Sequence, residues 1–343
     1  MVSFKLKEAI RRISSSNLVY FEEQFMYGHR EALLHYCGQN NSSLSNTSIL
    51  QGSVDHGFAY QENIWKLRKR NLTRAKRYVW NERHKLAYGA DDSVVTTGSP
   101  WLYLLSALGI TPENITHKIK KQANKVVILL GHNVETYFKY DIQNLSQHFL
   151  PFIPENSNVT VCLFWTDFCD PAIRRSFTDL GWAVESMGYV PRLPTPDSTQ
   201  GGRQNFLLEL FSLLSTAELF LTDNASTGLF YAMSLNLEVM YIPSLEIQKY
   251  ESVANSMIGL DDKRPPGFFP SEKLWVEHYL PSLFDTKNNS RRYLNFSWNE
   301  LGYKYFLNNQ LGSKFEWING GADPRAMDLY INRFKEVNNS LST

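Results

Sequence analysis

The fold is decided between residues 126 and 242. Val126-Val127-Ile128-Leu129-Leu130 is a short apolar and β-branched run that stops at Gly131-His132-Asn133. Four more such runs follow: 159–165 ending at Thr166-Asp167, 182–187 ending at Gly188, 218–222 ending at Asp223-Asn224, and 238–242 ending at Pro243. Between them lie helix-like stretches at 141–150, 171–180, 203–216 and 226–235. Strands that alternate with helices of this length predict βαβ units and a parallel sheet. Ligands of such sheets bind beyond the carboxyl ends of the strands, so the polar residues at those ends are the site candidates.

Towards the N-terminus the alternation repeats less cleanly. A helix-like segment covers 18–37, and a strand near 48–54 runs into Asp55-His56-Gly57. A basic helix at 64–76, a strand at 77–80, a short helix and a strand at 93–97 closed by Gly98-Ser99-Pro100 come next. The polar stretch 111–124 reads as a linker. Helical pieces occupy the chain after residue 244, and the last, 325–337, opens on Asp323-Pro324, an N-cap followed by proline. The expected architecture is α/β with two lobes and a cleft between them. Residues 1–115 form the first lobe and 125–295 the second, with the helices of about 300–343 packing back on the first.

Composition bounds the function classes. With 343 residues, 43% of them apolar, two cored domains are expected. The 35 Lys and Arg balance 34 Asp and Glu to a net charge of +1, which speaks against a nucleic-acid partner. Cys37, Cys162 and Cys169 have no paired spacing, so neither a disulfide framework nor a zinc ribbon is indicated. The N-terminus lacks the apolar stretch of a signal peptide, and the run 101–110 is too short to span a bilayer, so the cytoplasm is expected. Phosphate-binding G-x-x-x-x-G-K-[ST], dinucleotide G-x-G-x-x-G, H-E-x-x-H and G-x-S-x-G motifs are absent, and so is D-x-D.

Three constellations remain. Asp55-His56-Gly57 at a strand end offers a carboxylate and an imidazole for general base work on a hydroxyl, with Gly57 allowing a sharp turn. The bland alternative is an ordinary turn. The stretch 222–228 (Thr-Asp-Asn-Ala-Ser-Thr-Gly) leads from a strand into a helix. Its helix start, with the Asn224, Ser226 and Thr227 side chains and close approach at Gly228, is suited to phosphate, although the same residues make ordinary N-caps. Gly188-Tyr189, His132 and Asp167 lie at other strand ends on the ligand side. Glu82 and Arg83, after Trp80-Asn81, and Gly98-Ser99-Pro100 are candidates for the acceptor side.

Taken in order, these pieces resemble a bacterial surface-polysaccharide (capsule or O-antigen) glycosyltransferase of the GT-B type. The resemblance runs from about 20 to 245 through Asp55–Gly57, Tyr78–Arg83, Gly98–Tyr103, 161–167 and 222–231. It implies two Rossmann-like lobes facing across a cleft, acceptor on the first, nucleotide donor on the second, and no essential metal or other cofactor. Bacterial sialyltransferases of that class carry an acidic-acidic-Gly motif whose carboxylate is the catalytic base. Asp55-His56-Gly57 is similar to it, which implies Asp55, aided by His56, as the base. The same enzymes also carry a Ser-Ser/Thr motif, to which Ser226-Thr227 is similar. Their His-Pro pair is replaced here by Gly188-Tyr189. The implied reaction is inverting transfer of a sugar, with an acidic nonulosonic or ulosonic sugar on CMP favoured, to a glycan or glycolipid at the inner face of the membrane. CDP-polyol phosphotransferases of teichoic acid and capsule assembly are also similar through His-Gly, Gly-x-Pro and Thr-Asp-x-Ser-Ser stretches, and there the histidine is the base. A GT-B scaffold without activity is the third reading.

Overall fold

The computed structural model describes residues 26–39, 41–55, 57, 76–88, 92–131, 142–187, 205–223, 225–242, 290–320 and 322–342. In chain order they form α1 (His29–Gly38), β1 (Ile49–Leu50), β2 (Gly52–Val54), β3 (Lys76–Val79), α2 (Glu82–Tyr88), β4 (Val94–Thr96) and α3 (Pro100–Ala107). Next come α4 (Ile115–Lys118), β5 (Lys125–Leu129), α5 (Ile142–Phe149), β6 (Asn158–Cys162), α6 (Trp165–Cys169), α7 (Pro171–Thr178) and β7 (Ala183–Glu185). The rest is α8 (Phe206–Ser215), β8 (Leu219–Thr222), α9 (Thr227–Ser234), β9 (Glu238–Tyr241), α10 (Ser290–Glu300), α11 (Tyr303–Leu307), β10 (Trp317–Ile318) and α12 (Pro324–Ser340). The α/β class expected from the alternation is the class of the structure.

The chain divides into two compact units: Met1–Thr111 with Val190–Leu208 and Asn299–Thr343, and Pro112–Tyr189 with Glu209–Trp298. The second is built on a five-stranded sheet in the order β7-β6-β5-β8-β9, with every pair parallel. The chain starts in the middle at β5, steps outward through β6 and β7, then returns to β5's other flank with β8 and β9. That reversal creates a switch point between the carboxyl ends of β5 and β8.

The inner strands β5, β6 and β8 are largely buried on both faces, which is why they read as unbroken apolar runs, while the edge strand β7 is exposed at Ala183 and Glu185. Val126, Ile128, Val159, Val161, Leu219 and Leu221 point to one face, where Phe149 of α5 and Ile173 and Phe177 of α7 fill the core. On the other side α9 comes so close to β5 that a Cβ on Gly228 would sit 2.1 Å from Leu129 Cδ2. Gly228 is therefore spent on helix–sheet packing. Two expectations change here. The strand read over 159–165 ends at Cys162, and residues 165–169 fold into α6, closed just before Asp170-Pro171, since proline disfavours helical backbone at the residue before it. The supposed linker 111–124 contains α4, and Ile115 and Ile119 are buried, so that polar stretch is anchored.

In the first unit β2, β3 and β4 form a three-stranded parallel sheet. The strand expected over 48–54 is two: β1 leaves this sheet to pair antiparallel with β10, Ile49 opposite Ile318. Gly52 marks the break, with φ +148°, and a Cβ there would meet the Lys76 carbonyl oxygen at 2.1 Å. Several bonds tie the C-terminal segment to this unit. Ser99 N–H donates to Leu301 O at 2.8 Å, Asn309 Nδ2 to Tyr103 Oη at 2.9 Å, and Glu316 N–H to Tyr78 Oη at 2.9 Å. The helix expected over 18–37 is described as α1, its residues 18–25 lying outside the described residues. Of the basic helix expected over 64–76, Lys76 and its neighbours form β3 and 64–75 lie outside them.

Candidate functional site

The tip of β2 is held from four directions. Asp55 N–H donates to Tyr78 O at 2.9 Å, continuing the β2–β3 ladder one residue beyond the strand. The Asp55 carbonyl accepts from Trp80 Nε1 at 3.0 Å. Of its carboxylate, Oδ2 lies 3.1 Å from His84 Nδ1 and Oδ1 lies 3.5 Å from Arg77 Nη1. Asp55 is 6% exposed, Arg77 8% and His84 not at all. A buried carboxylate demands such partners, because taking it from water is costly unless it is paired and hydrogen-bonded.

Helix α2 supplies the imidazole, and its position has a local cause. Asn81 Oδ1 accepts from His84 N–H at 3.0 Å, the N-cap bond that starts the helix, while Asn81 Nδ2 donates to Glu300 O at 2.7 Å. The His84 ring stacks on Trp80 at 5.3 Å and 25°. Reading the sequence alone passes over His84. Its signal lies one residue past the stretch 80–83: an Asn cap places the third following residue in the first helical turn, facing back.

The acceptor-side candidates separate. Arg83 pairs with Glu300, whose carboxyl is raised by burial and drawn back by Arg83 and His84. Glu82 is exposed and Gly57 half-buried. Thr97 and Ser99 are buried, and the Ser99 side chain caps α3 by accepting from Trp101 N–H at 3.3 Å. Gly98 N–H donates to Trp80 O at 3.1 Å. Gly98-Ser99-Pro100 is thus a packed joint rather than an open surface, a correction to the acceptor-side expectation for it. His56 lies outside the described residues.

The second constellation sits at the switch point of the five-stranded sheet. Asp223, 1% exposed, follows β8 and accepts from Gly131 N–H, just after β5, at 2.8 Å. The two strand ends that flank the reversal are therefore bolted together by a side chain. Ser226 is extended (φ −68°, ψ 174°) and Thr227 is the first residue of α9; both are half-buried. Ser226 is the N-cap residue of α9 and makes no side-chain capping bond to it. The eight-residue α9 turns the positive end of its dipole towards this corner. Asp167 is buried at 3% within α6 instead of standing at a strand tip. His132, Gly188, Tyr189 and Asn224 lie outside the described residues.

Among the described residues no group of three His, Cys, Asp or Glu is placed to hold a metal ion, and no helix is long and apolar enough to cross a membrane.

No protein-family model matches the chain, and no curated protein matches it. Solved structures do. A UDP-GlcNAc 2-epimerase from Neisseria meningitidis bound to UDP-GlcNAc is 15% identical with TM-score 0.30, over 76% of this chain and 61% of its own. S. aureus MnaA with UDP is 15% identical with TM-score 0.29, over 78% and 61%. The wall teichoic acid polymerase TagF is 11% identical with TM-score 0.32, over 78% and 59%. The chain thus spans about 60% of the length of each. At these scores the class rests on the chain's own sheets: an α/β protein with two units, each carrying a parallel sheet.

Proposed function

We propose that the protein is a GT-B glycosyltransferase that moves a sugar from a nucleotide donor to a surface glycan or glycolipid. In this reading the five-stranded unit holds the donor and the unit bearing Asp55 presents the acceptor. One observation carries it: Ser226 and Thr227 open α9 at the switch point, where Asp223 ties the end of β8 to Gly131 after β5. The leaving nucleotide takes its charge on phosphate, and stabilising that charge is the largest electrostatic demand of the reaction. A helix start with two hydroxyl residues suits that demand through its positive dipole end and hydroxyl side chains, without a cation. His132, Gly188, Tyr189 and Asn224 are assigned to the donor side as well, Asp167 being buried in α6, and the resemblance favours CMP as the nucleotide.

The geometry of β2 divides the work at the acceptor. Both carboxylate oxygens of Asp55 face partners, so we assign Asp55 to anchoring the tip. The proton of the acceptor hydroxyl then goes to His56, a group whose ordinary titration range suits a base near neutrality. As the hydroxyl oxygen forms its bond to the anomeric carbon, the bond to the donor phosphate breaks and the electron pair leaves on the phosphate oxygen. Attack from the side opposite the leaving group makes the transfer inverting.

The test is transfer itself. The full chain is incubated with UDP-GlcNAc, with CMP- and GDP-sugars and with CDP-polyols, each with free and lipid-linked glycans, and products are read by mass spectrometry. The expected result is an acceptor heavier by one sugar with one nucleotide released per transfer, lost in His56→Ala. Phosphodiester formation with CMP release from a CDP-polyol would replace the reading by polyol phosphate transfer, and no turnover of any donor would overturn it.

A further inference from the structure

We propose that His84 is a positioning residue for the reaction at the β2 tip, clamping Asp55 and through it the residues that follow. This rests on the acceptor-side reading of that tip. The imidazole is wholly buried, and its Nδ1 is 3.1 Å from Asp55 Oδ2. An ionised carboxylate only accepts hydrogen bonds, so the shared proton belongs to Nδ1. The ring lies flat on Trp80, and the Trp80 indole N–H holds the main-chain carbonyl of the same Asp55. Two stacked rings thus grip one residue, one by its side chain and the other by its backbone.

The grip continues into the helix. The His84 backbone N–H is fixed by Asn81, and Asn81 is fixed in turn to the Glu300 carbonyl. A strand tip that must aim a reacting group within about half an ångström needs such support, and misplacement by about 1 Å costs on the order of 100-fold in rate. Arg77 alone does not supply it: at 3.5 Å it contributes charge, whereas the His84 contact fixes direction.

Two substitutions separate positioning from mere packing. His84→Phe keeps a ring on Trp80 but cannot donate to Asp55. His84→Asn loses the ring but carries an amide N–H close to where Nδ1 stood. With nucleotide release from the active donor as the assay, His84→Phe is expected to lower kcat by about 10- to 100-fold with donor KM unchanged. His84→Asn recovers most of that loss. A purely structural His84 gives the reverse order, with His84→Phe the better enzyme, and that overturns the inference.

A second readout does not depend on turnover. In the 15N-histidine-labelled full chain, the His84 ring is expected to carry its proton on Nδ1, and Asp55→Ala is expected to move that resonance. A ring protonated on Nε2 alone, or a resonance indifferent to Asp55→Ala, overturns the clamp. Absence of turnover in the wild-type chain with the Nδ1 signature present refutes the transfer reading and leaves the clamp standing.

Discussion

Replacing Gly302 by alanine tests the joint behind the β2 tip. Gly302 precedes α11 with φ +86°, and a Cβ there would lie 1.9 Å from the Trp80 carbonyl oxygen and 3.1 Å from Gly98 Cα. Left-handed backbone costs a residue with a Cβ about 1–2 kcal/mol. The clash adds to that, because its partners are backbone atoms that cannot rotate aside; forcing extra atoms into a packed site costs about 1–3 kcal/mol. The sum is about 2–5 kcal/mol, a large share of the roughly 5–15 kcal/mol that a domain commands. Gly320 is the internal control: its φ is +87° and a Cβ there would have nothing within 4 Å, so only the first cost applies. Urea unfolding of both variants therefore isolates the contact. Gly302→Ala should lose about 1–3 kcal/mol more than Gly320→Ala, and turnover should fall with it, since Trp80 also holds the Asp55 carbonyl. Equal losses in the two variants would refute the argument from close approach.

Two further perturbations follow from the same geometry. Asp223→Ala leaves the Gly131 N–H without its acceptor and should cost about 1–3 kcal/mol by urea unfolding, whereas Asp223→Asn, which keeps an oxygen in place, should cost less. The Glu300 carboxyl is held above its ordinary value of 4.5, first by burial, against the opposing pull of Arg83 and His84. A raised carboxyl stabilises the fold at low pH and loses that contribution as pH rises through its folded value. Wild-type stability should therefore fall relative to Glu300→Gln as pH rises above the ordinary 4.5, measured as urea midpoints; a constant gap would contradict the assignment.

How much of this was legible depends on the range of the forces involved. Strands β5 and β8 end within a residue of where their apolar runs stop, because burial on both faces leaves no room for polar residues. The helices α7, α9 and α12 are equally legible, their starts marked by Asp170-Pro171, Ser226-Thr227 and Asp323-Pro324. Contacts distant in sequence were not. Asp55 and His84 are 29 residues apart and meet only because β2 pairs with β3 and α2 follows directly. Gly228 and Gly98 read as points of access, yet each is occupied by the protein's own atoms, Leu129 and Phe306 respectively. A glycine in sequence announces close approach without saying what approaches.

The central claim is that the start of α9, at Ser226 and Thr227, binds the phosphate of a nucleotide. Calorimetric titration of the full chain with UDP-GlcNAc, UDP, CMP, CDP and GDP tests it most directly, beside a Ser226→Ala/Thr227→Val variant shown to be folded. The account predicts binding of at least one nucleotide and a loss of tenfold or more in the variant, since a hydrogen bond to a charged group is worth about 1.5–3 kcal/mol. No binding by the wild-type chain, or equal binding by the variant, would contradict it.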